Sequence, residues 1–339
     1  MVCKTKCKLF VGAVMASLLV ATAVQAQQGR MTIGTNPQGT MYYVVGGGLA
    51  KLFSDKLGAN TTAQPYAGSS VYLPLISAGE VTMGLSSSLD SSQAYRGAGA
   101  YAELGKLADL RTLIRAWPLP YTYFARADSG MTSIGDLKGK KVAVKMGANI
   151  SLELANRAML KAGGLDPDKD IDAVDVSGLP EGYDLVTGES IAAATTALGI
   201  PLARKADATI PGGLVMLAIT GDKATTDFVS NEMDGLYITE TAPGKNNPGV
   251  KQKQAVLGFD VFLVSSANLS DDEAYNLTKV THEQWSALQG DYAVLRSNPA
   301  DQLSKPTNTV PYHPGAVRYF KEVGLWTEAN EAHDARLMN

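Results

Sequence analysis

The feature that most constrains the fold is a pattern that occurs three times near the start of the chain. A short apolar run ends in a turn rich in glycine and serine, and a segment with helical spacing of its apolar residues follows. The apolar runs cover residues 30–34, 61–66 and 81–85, and the helical segments cover 42–57, 71–77 and 91–95. This alternation is typical of a parallel sheet with helices on its faces. The pattern therefore predicts an α/β protein.

The rest of the sequence predicts a second set of such elements, inserted into the first. We expect strands at 113–116, 121–125, 142–144, 171–176 and 258–264, apolar segments at 191–198 and 212–219, and helices at 152–162 and 270–288. This order suggests one lobe made of residues 27–117 and 257–339, with a second lobe of residues 118–256 between them. Two crossings of the chain between the lobes would form a hinge that closes on a ligand.

The N-terminus has the three parts of a secretory signal. Lys4, Lys6 and Lys8 precede an apolar run over 9–24, and small residues lead to a predicted cleavage site after Ala26. The run is interrupted by polar and small residues and is short for a membrane span. Residues 1–26 are therefore interpreted as a cleaved signal peptide, which predicts export to the periplasm.

The composition of the exported part excludes several classes of function. The only two cysteines, Cys3 and Cys7, lie in the signal, so disulfides and thiolate chemistry are excluded from the rest. Removing the signal takes away three lysines and leaves 27 basic against 33 acidic residues, a net charge of −6. This charge gives no support to a nucleic-acid partner. The fold must be stabilised by burial of a core, for which the chain is long enough.

No motif for catalysis, a metal or a cofactor is apparent. His282, His313 and His333 do not have ligand spacing, no serine lies in a nucleophile-elbow motif, and the turn at 34–39 lacks the spacing of a dinucleotide-binding loop. We therefore expect no enzyme activity, no metal and no cofactor. An exported hydrolase remains the alternative, and it would need a pair such as Ser69 and His313. His313 can instead cap or order the final helix.

The candidate ligand-binding residues lie in the turns between strands and helices. Such turns face the carboxyl ends of parallel strands, where ligands bind in open α/β sheets. Their hydroxyl and amide groups can cap helices or hold a polar ligand group at the helix N-termini. The predicted set is Thr35, Asn36, Gly39, Thr40, Tyr43, Ser69, Ser70, Ser87, Ser88, Asp90, Arg115, Trp117, Asn149, Ser151, Thr195 and Thr196.

Two cations are candidates for an anionic ligand group. Arg115 could form a bidentate pair with a ligand carboxylate or an ion pair within the protein. Lys145 follows the strand at 142–144 and could contact a ligand or water. The sequence leaves these alternatives open.

Several motifs resemble the TAXI family of solute-binding proteins of TRAP transporters. They are Ile33-Gly34-Thr35 with Gly39 and Gly46, the Gly68-Ser69-Ser70 turn, the segments 83–90 and 136–142, and above all residues 313–324, which begin His313-Pro314-Gly315. The resemblance spans nearly all of the exported chain. It departs from the family's pattern at Asn36, Met41, Asn149 and residues 192–196.

The resemblance implies a periplasmic binding protein fold of type II, with two lobes of mainly parallel sheet and a ligand cleft at the hinge. It also implies a receptor that delivers a small organic solute, a carboxylate or an amino acid, to TRAP permease subunits in the membrane. A receptor for an ABC transporter or a sensor kinase is the alternative within the same class, because the membrane partner is encoded elsewhere.

Overall fold

The computed structural model describes residues 30–147 and 150–338, without the side chain of Ala100. The predicted signal peptide and Asn149 lie outside the described residues. The strands are β1 (Met31–Thr35), β2 (Thr61–Pro65), β3 (Met83–Ser87), β4 (Leu110–Arg126), β5 (Lys141–Met146), β6 (Asp172–Val176), β7 (Ala193–Ala197), β8 (Leu214–Met216), β9 (Tyr237–Thr241) and β10 (Gln254–Ser266).

The α-helices alternate with the strands over most of the chain. They are α1 (Met41–Leu57), α2 (Ser69–Ser77), α3 (Ser88–Arg96), α4 (Ser151–Ala162), α5 (Leu179–Thr187), α6 (Pro201–Thr209), α7 (Thr226–Glu232), α8 (Asp271–Glu283), α9 (Trp285–Asp291), α10 (Pro314–Glu322) and α11 (Glu328–Met338). The predicted α/β class is confirmed.

The sheet has two mainly parallel parts joined in the middle. Its strand order is β2-β1-β3-β10-β4-β7-β5-β6, with β8 on β4 and β9 on β10. Strands β1, β2 and β3 are parallel, as are β5, β6 and β7, whereas β4 and β10 are antiparallel to their neighbours. We call the part that contains β1–β3 the first half, and the part that contains β5–β9 the second half.

Two long strands run through both halves. The N-terminal part of β4 lies beside the first half, and its residues 121–125 pair with β7 in the second. Strand β10 pairs with β9 at its start and with β3 towards its end. The chain thus crosses between the halves in two paired strands, with register shifts at Val261/Phe262 and Leu263/Val264. The lobe boundaries at 117/118 and 256/257 stay a prediction.

Strand β4 is one element where the sequence predicted two. Pro118 and Pro120 lie within it and pair with Asp260 and Gly258 of β10. Strand β7 pairs only with residues 121–125, so the prolines lie where β10 is the sole strand beside β4 in the described part of the chain. A missing N–H group is tolerated at such an edge position.

Helix boundaries follow local capping groups. Helix α1 begins after Thr40, whose hydroxyl accepts from the N–H of Tyr43, and ends at Gly58 with a φ of 66°. The prediction of one helix over 270–288 is wrong in one respect. The helix begins as predicted, with a capping box formed by Ser270 and Glu273. It is interrupted at Gln284, which separates α8 from α9.

The core is apolar and continuous through both halves. Buried side chains of β4 and β10 such as Ile114, Trp117, Phe124 and Val261 pack with residues of the flanking helices. A second cluster around Tyr72 and Phe262 lies in the first half, under α2. Within residues 30–147 and 150–338, no helix is long and apolar enough to cross a membrane.

Candidate functional site

A small cavity lies between the two halves. Its volume is about 60 Å³. The first half contributes Asn36, Thr40, Met41, Tyr42 and Asp90, the crossing strands contribute Leu119, Tyr121 and Phe259, and the second half contributes Leu152, Leu179, Ala197 and Ile200. Drug-sized ligand sites measure roughly 300–1,000 Å³. In this arrangement of the halves, the cavity admits only a small solute.

The first turns of five helices meet at this cavity. Met41, Asp90, Leu152 and Leu179 lie in the first turns of α1, α3, α4 and α5, and Ile200 precedes α6. The first N–H groups of a helix lack partners within it, and the helix dipole adds partial positive charge there. The backbone at the cavity therefore favours a negatively charged or strongly polar ligand group.

Asp90 is the only acidic or basic side chain among the residues that line the cavity in the described structure. It is 4% exposed. Its Oδ2 accepts hydrogen bonds from the hydroxyls of Ser69 and Ser87, the latter at 3.1 Å, and its backbone N–H donates to Ser87 Oγ. Burial raises the pKa of the Asp90 carboxyl, against the opposing effects of Ser151, Ser69 and Ser87.

The second carboxylate oxygen of Asp90, Oδ1, differs from the first in its hydrogen bonding. Oδ1 is buried and has no hydrogen-bond partner. Ser151 Oγ, at the start of α4 in the second half, is also buried and unpartnered. Its hydroxyl lies near enough to lower the pKa of Asp90, although the two groups do not meet with hydrogen-bond geometry. Two unsatisfied polar groups from opposite halves thus lie together beside the cavity.

The aromatic wall of the cavity differs from the predicted one. Tyr42 lines the cavity, is buried, and packs edge-on against Trp117 with ring centroids 5.7 Å apart. Tyr43, the predicted residue, lies outside the cavity lining and accepts from Gln38 Nε2 at 3.5 Å. Trp117 is fully buried behind Tyr42, and its Nε1 has no partner.

Arg115 does not line the cavity. Its guanidinium forms a bidentate pair with Asp260 on β10, with Nε–Oδ2 and Nη2–Oδ1 distances of 2.7 Å, and Nη1 donates to Asn298. Burial alone would lower the pKa of Arg115, but the hydrogen bonds and charge of Asp260 raise it. Of the two alternatives for Arg115, the structure therefore shows the ion pair within the protein. Lys145 is half-exposed and lies 3.8 Å from Asp175.

The predicted residues of the second half form a layer behind the cavity wall. Thr195 accepts from Tyr121 OH at 2.6 Å, and Thr196 Oγ1 lies 2.6 Å from Tyr183 OH. Both threonines are buried in β7 and outside the cavity lining. They position two tyrosines, of which Tyr121 reaches the cavity. Asn149 is outside the described residues.

The other predicted residues of the first half divide between cavity and support. Asn36 and Thr40 line the cavity, and Thr40 caps α1. Thr35 is buried at the end of β1, and its hydroxyl donates to Gln64 O at 3.3 Å. Gly39 has a φ of 87° with open space around it, and Ser70 is half-buried in α2.

Ser88 connects three segments. Its hydroxyl donates to Gly235 O at 3.2 Å and accepts from Asp260 N at 3.3 Å, while its carbonyl oxygen accepts from Thr309. It therefore joins the start of α3 to the turn before β9 and to β10, outside the cavity lining.

Each of the three histidines has a hydrogen-bond partner that is not a serine. His313 Nδ1 accepts from Gly315 N at 3.2 Å and so caps α10, while Nε2 lies 2.9 Å from Leu269 O. Burial lowers the pKa of His313, which favours the neutral ring that this pairing requires. His282 contacts Tyr319 OH, and His333 contacts Asn308 O. Ser69, the candidate nucleophile, donates to Asp90.

Within the described part of the chain, no group of three or more metal-ligating side chains was found. The cavity residues outside the predicted ligand-binding set are Met41, Tyr42, Leu119, Tyr121, Leu152, Leu179, Ala197, Ile200 and Phe259, of which Met41 was noted as a departure from the family's pattern. Most are apolar residues at helix starts or on the crossing strands. Their pattern in the sequence is that of any core residue.

The model of the NMT1-like family matches residues 33–324. The chain belongs to the NMT1-like family. The match begins in β1 and ends just after α10, so it includes both halves of the sheet and every residue that lines the cavity.

Several solved structures match most of this chain at low sequence identity. One is the substrate-binding protein of an amino acid ABC transporter, with 13% identity, 79% of this chain and 97% of that chain covered, and a TM-score of 0.44. The amino acid ABC transporter substrate-binding protein AbpA from Streptococcus pneumoniae has 12% identity, 80% and 97% coverage, and a TM-score of 0.47. XAC2383 from Xanthomonas citri has 11% identity, 91% and 98% coverage, and a TM-score of 0.48.

Proposed function

We propose that this protein is a periplasmic solute-binding receptor that encloses a small organic solute between its halves and delivers it to a membrane permease. The single observation that carries the proposal is the cavity. Residues of both halves and of the two crossing strands line it together. A ligand that contacts both halves stabilises the arrangement in which they approach, and so shifts the population towards the closed form.

The hydrogen bonds of the three histidines and of Ser69 favour binding over turnover. The three histidines contact backbone or tyrosine groups, and Ser69 is bonded to an aspartate. A serine hydrolase needs its nucleophile in hydrogen-bond reach of a base that can take its proton. In the described part of the chain, no serine has a histidine as its partner.

The finer proposal is a receptor of the TAXI type, serving a TRAP permease. Its support is the set of sequence motifs, and two of their glycines lie where the chain packs closely. A Cβ on Gly46 would overlap Thr35, and a Cβ on Gly315 would overlap the carbonyl oxygen of Asp271. The converging helix N-termini favour a carboxylate on the solute, which agrees with a carboxylate or an amino acid as ligand.

The first test is the thermal unfolding of the secreted protein with amino acids, organic acids and amines. A solute at about 100 times its Kd adds about 2.7 kcal/mol to the free energy of unfolding, which raises the midpoint visibly. We expect one chemical class to do so, and small-angle scattering to show a smaller radius of gyration with the solute bound. Mass spectrometry of the denatured protein identifies any solute carried through purification.

Failure of the whole panel, with no solute carried, would contradict the receptor function. Conversion of a binding solute to a product would instead favour a hydrolase. To test the membrane partner, the solute-loaded receptor is added to vesicles that contain a candidate permease. Uptake that needs an ion gradient and no ATP supports the TRAP assignment, and uptake that needs ATP supports an ABC transporter.

A further inference from the structure

Asp90 has an unusual balance of partners for a buried acidic residue. It is 4% exposed, both of its hydrogen-bonding hydroxyls meet Oδ2, and Oδ1 has none. A buried charged group without a partner destabilises the fold more than a neutral group does. The fold therefore carries a destabilising group at a position that lines the cavity.

No cation within the described chain compensates this carboxylate. Asp90 takes part in none of the ion pairs among the described residues. Arg115, which the sequence offered as a candidate cation, is bonded to Asp260 and Asn298. The groups that act on the Asp90 carboxyl are hydroxyls of serine residues. A positive charge opposite Oδ1 is therefore not supplied by the residues that the structure describes.

Among the neighbouring polar groups, the hydroxyl of Ser151 acts on the Asp90 carboxyl but does not meet Oδ1 with hydrogen-bond geometry. The hydroxyl of Thr40 donates to Pro37 O at 2.7 Å, and that of Tyr121 is bonded to Thr195 and Asn156. Most other lining residues are apolar, among them Leu119, Leu152 and Phe259. A complementary solute thus needs a strong donor at one point and an apolar surface around it.

We propose that Asp90 Oδ1 receives the protonated amine of the solute, and that the solute has a small apolar body. An ammonium group supplies both the charge and the donors that Oδ1 lacks, in a charge-assisted hydrogen bond. The apolar wall contacts the rest of the solute. This inference rests on the proposed receptor function and narrows its solute class, because deaminated organic acids would leave Asp90 unpaired.

The test uses matched sets of probes on the unchanged protein. Each set has an amino acid, its 2-hydroxy acid analogue and its decarboxylated amine: alanine, lactate and ethylamine; leucine, 2-hydroxy-4-methylpentanoate and 3-methylbutylamine; phenylalanine, 3-phenyllactate and 2-phenylethylamine. Calorimetry measures Kd for each. We expect each amino acid to bind roughly 30- to 150-fold more tightly than its hydroxy acid, which keeps the carboxylate and lacks the amine. The decarboxylated amine measures what the carboxylate adds.

The Asp90→Asn variant removes the charge while keeping an acceptor for Ser69 and Ser87. We expect a similar loss of affinity for the amine probes and little change for the hydroxy acids. Asp55→Asn, at an exposed site in α1, is the control and should leave every Kd unchanged. Thermal unfolding of both variants shows whether they fold.

The outcomes separate the two proposals. If no probe and no member of the wider panel binds, the receptor function fails. If the hydroxy acids bind as tightly as the amino acids, or if a tightly bound solute has no amine, the receptor function stands and the role of Asp90 is overturned. The comparison of amino acid with hydroxy acid holds even if Asp90→Asn does not fold.

Discussion

Two buried aspartates lie close to the crossing strands, and their surroundings differ. Asp260 is paired on both oxygens by Arg115, and it also accepts from Tyr237 OH at 3.0 Å and from Thr307. Asp90 is satisfied on one oxygen only. Both are less than 5% exposed, at 1% and 4%. Burial alone therefore does not distinguish a structural carboxylate from a functional one, but the state of its partners does.

The difference has a physical reason. Asp260 joins β10 to β4 at the point where both strands pass between the halves, so its partners all come from the protein and are fixed by the fold. Asp90 lies at the start of α3 and lines the cavity, where the proposed solute would supply the missing partner. A buried polar group without a partner in a native structure calls for an explanation, such as a bound water, an ion or a functional role.

The largest expected effect is on the satisfied aspartate. Asp260→Ala leaves the buried Arg115 charge without its partner, and we expect the free energy of unfolding to fall by about 3–5 kcal/mol. Urea denaturation measures it. Asp55→Ala is the control, because its pair with Lys51 is exposed and is screened by water and salt, so we expect a much smaller cost. Equal costs for the two variants would show that the Asp260 network does not stabilise the fold.

The unsatisfied aspartate should give the opposite sign. Asp90→Asn removes a buried charge that lacks a partner on Oδ1, and we expect the solute-free protein to gain about 1–3 kcal/mol of unfolding free energy at pH 7. Urea denaturation of protein stripped of solute measures this gain. A loss of stability would show that the Asp90 carboxylate has a stabilising partner in the solute-free protein, as Asp260 has.

The gain should depend on pH in a defined direction. Burial raises the pKa of Asp90 above its ordinary value of 3.8, so the folded protein binds this proton more tightly than the unfolded chain. The contribution of Asp90 to stability is then greatest below 3.8, falls as the pH rises to the raised pKa, and is constant above it. The stability difference between Asp90→Asn and the unchanged protein should therefore grow across that window. A difference independent of pH would contradict it.

The sequence predicted the architecture better than the site. The recurring strand, turn and helix placed β1 to β3 and α1 to α3 nearly correctly, because the period of apolar residues and the turn chemistry are local signals. The continuity of β4 through Pro118 and Pro120 was missed. It depends on β10 pairing with that segment from far along the chain, and no local pattern contains that information.

The site shows the same limit. Ser69, Ser87 and Asp90 were identified from their turns, and the structure brings them together. Arg115 was a candidate for a ligand contact, but its partners Asp260 and Asn298 are 145 and 183 residues away in sequence. A charged residue at the end of an apolar run has the same appearance whether its partner is a solute or a distant side chain.

The smallest expected effect concerns a third aspartate, Asp234, in the turn before β9. Asp234 Oδ2 lies 2.8 Å from Arg96 Nη2 and accepts from Ser92 at 3.1 Å, which joins α3 to the turn before β9. Both charged side chains are about half-exposed, at 54% and 47%. Water and salt screen such a pair, so we expect Asp234→Asn to cost less than about 1 kcal/mol, and less still in high salt.

This variant tests whether exposure governs the order of the three aspartates. Ser92→Ala is the matched control, since it removes the neutral hydrogen bond and keeps the ion pair. If Asp234→Asn costs several kcal/mol in urea denaturation while Ser92→Ala does not, the pair holds α3 against the second half far more strongly than its exposure predicts. The stability of α3, and with it the position of Asp90 at the cavity, would then depend on this surface contact.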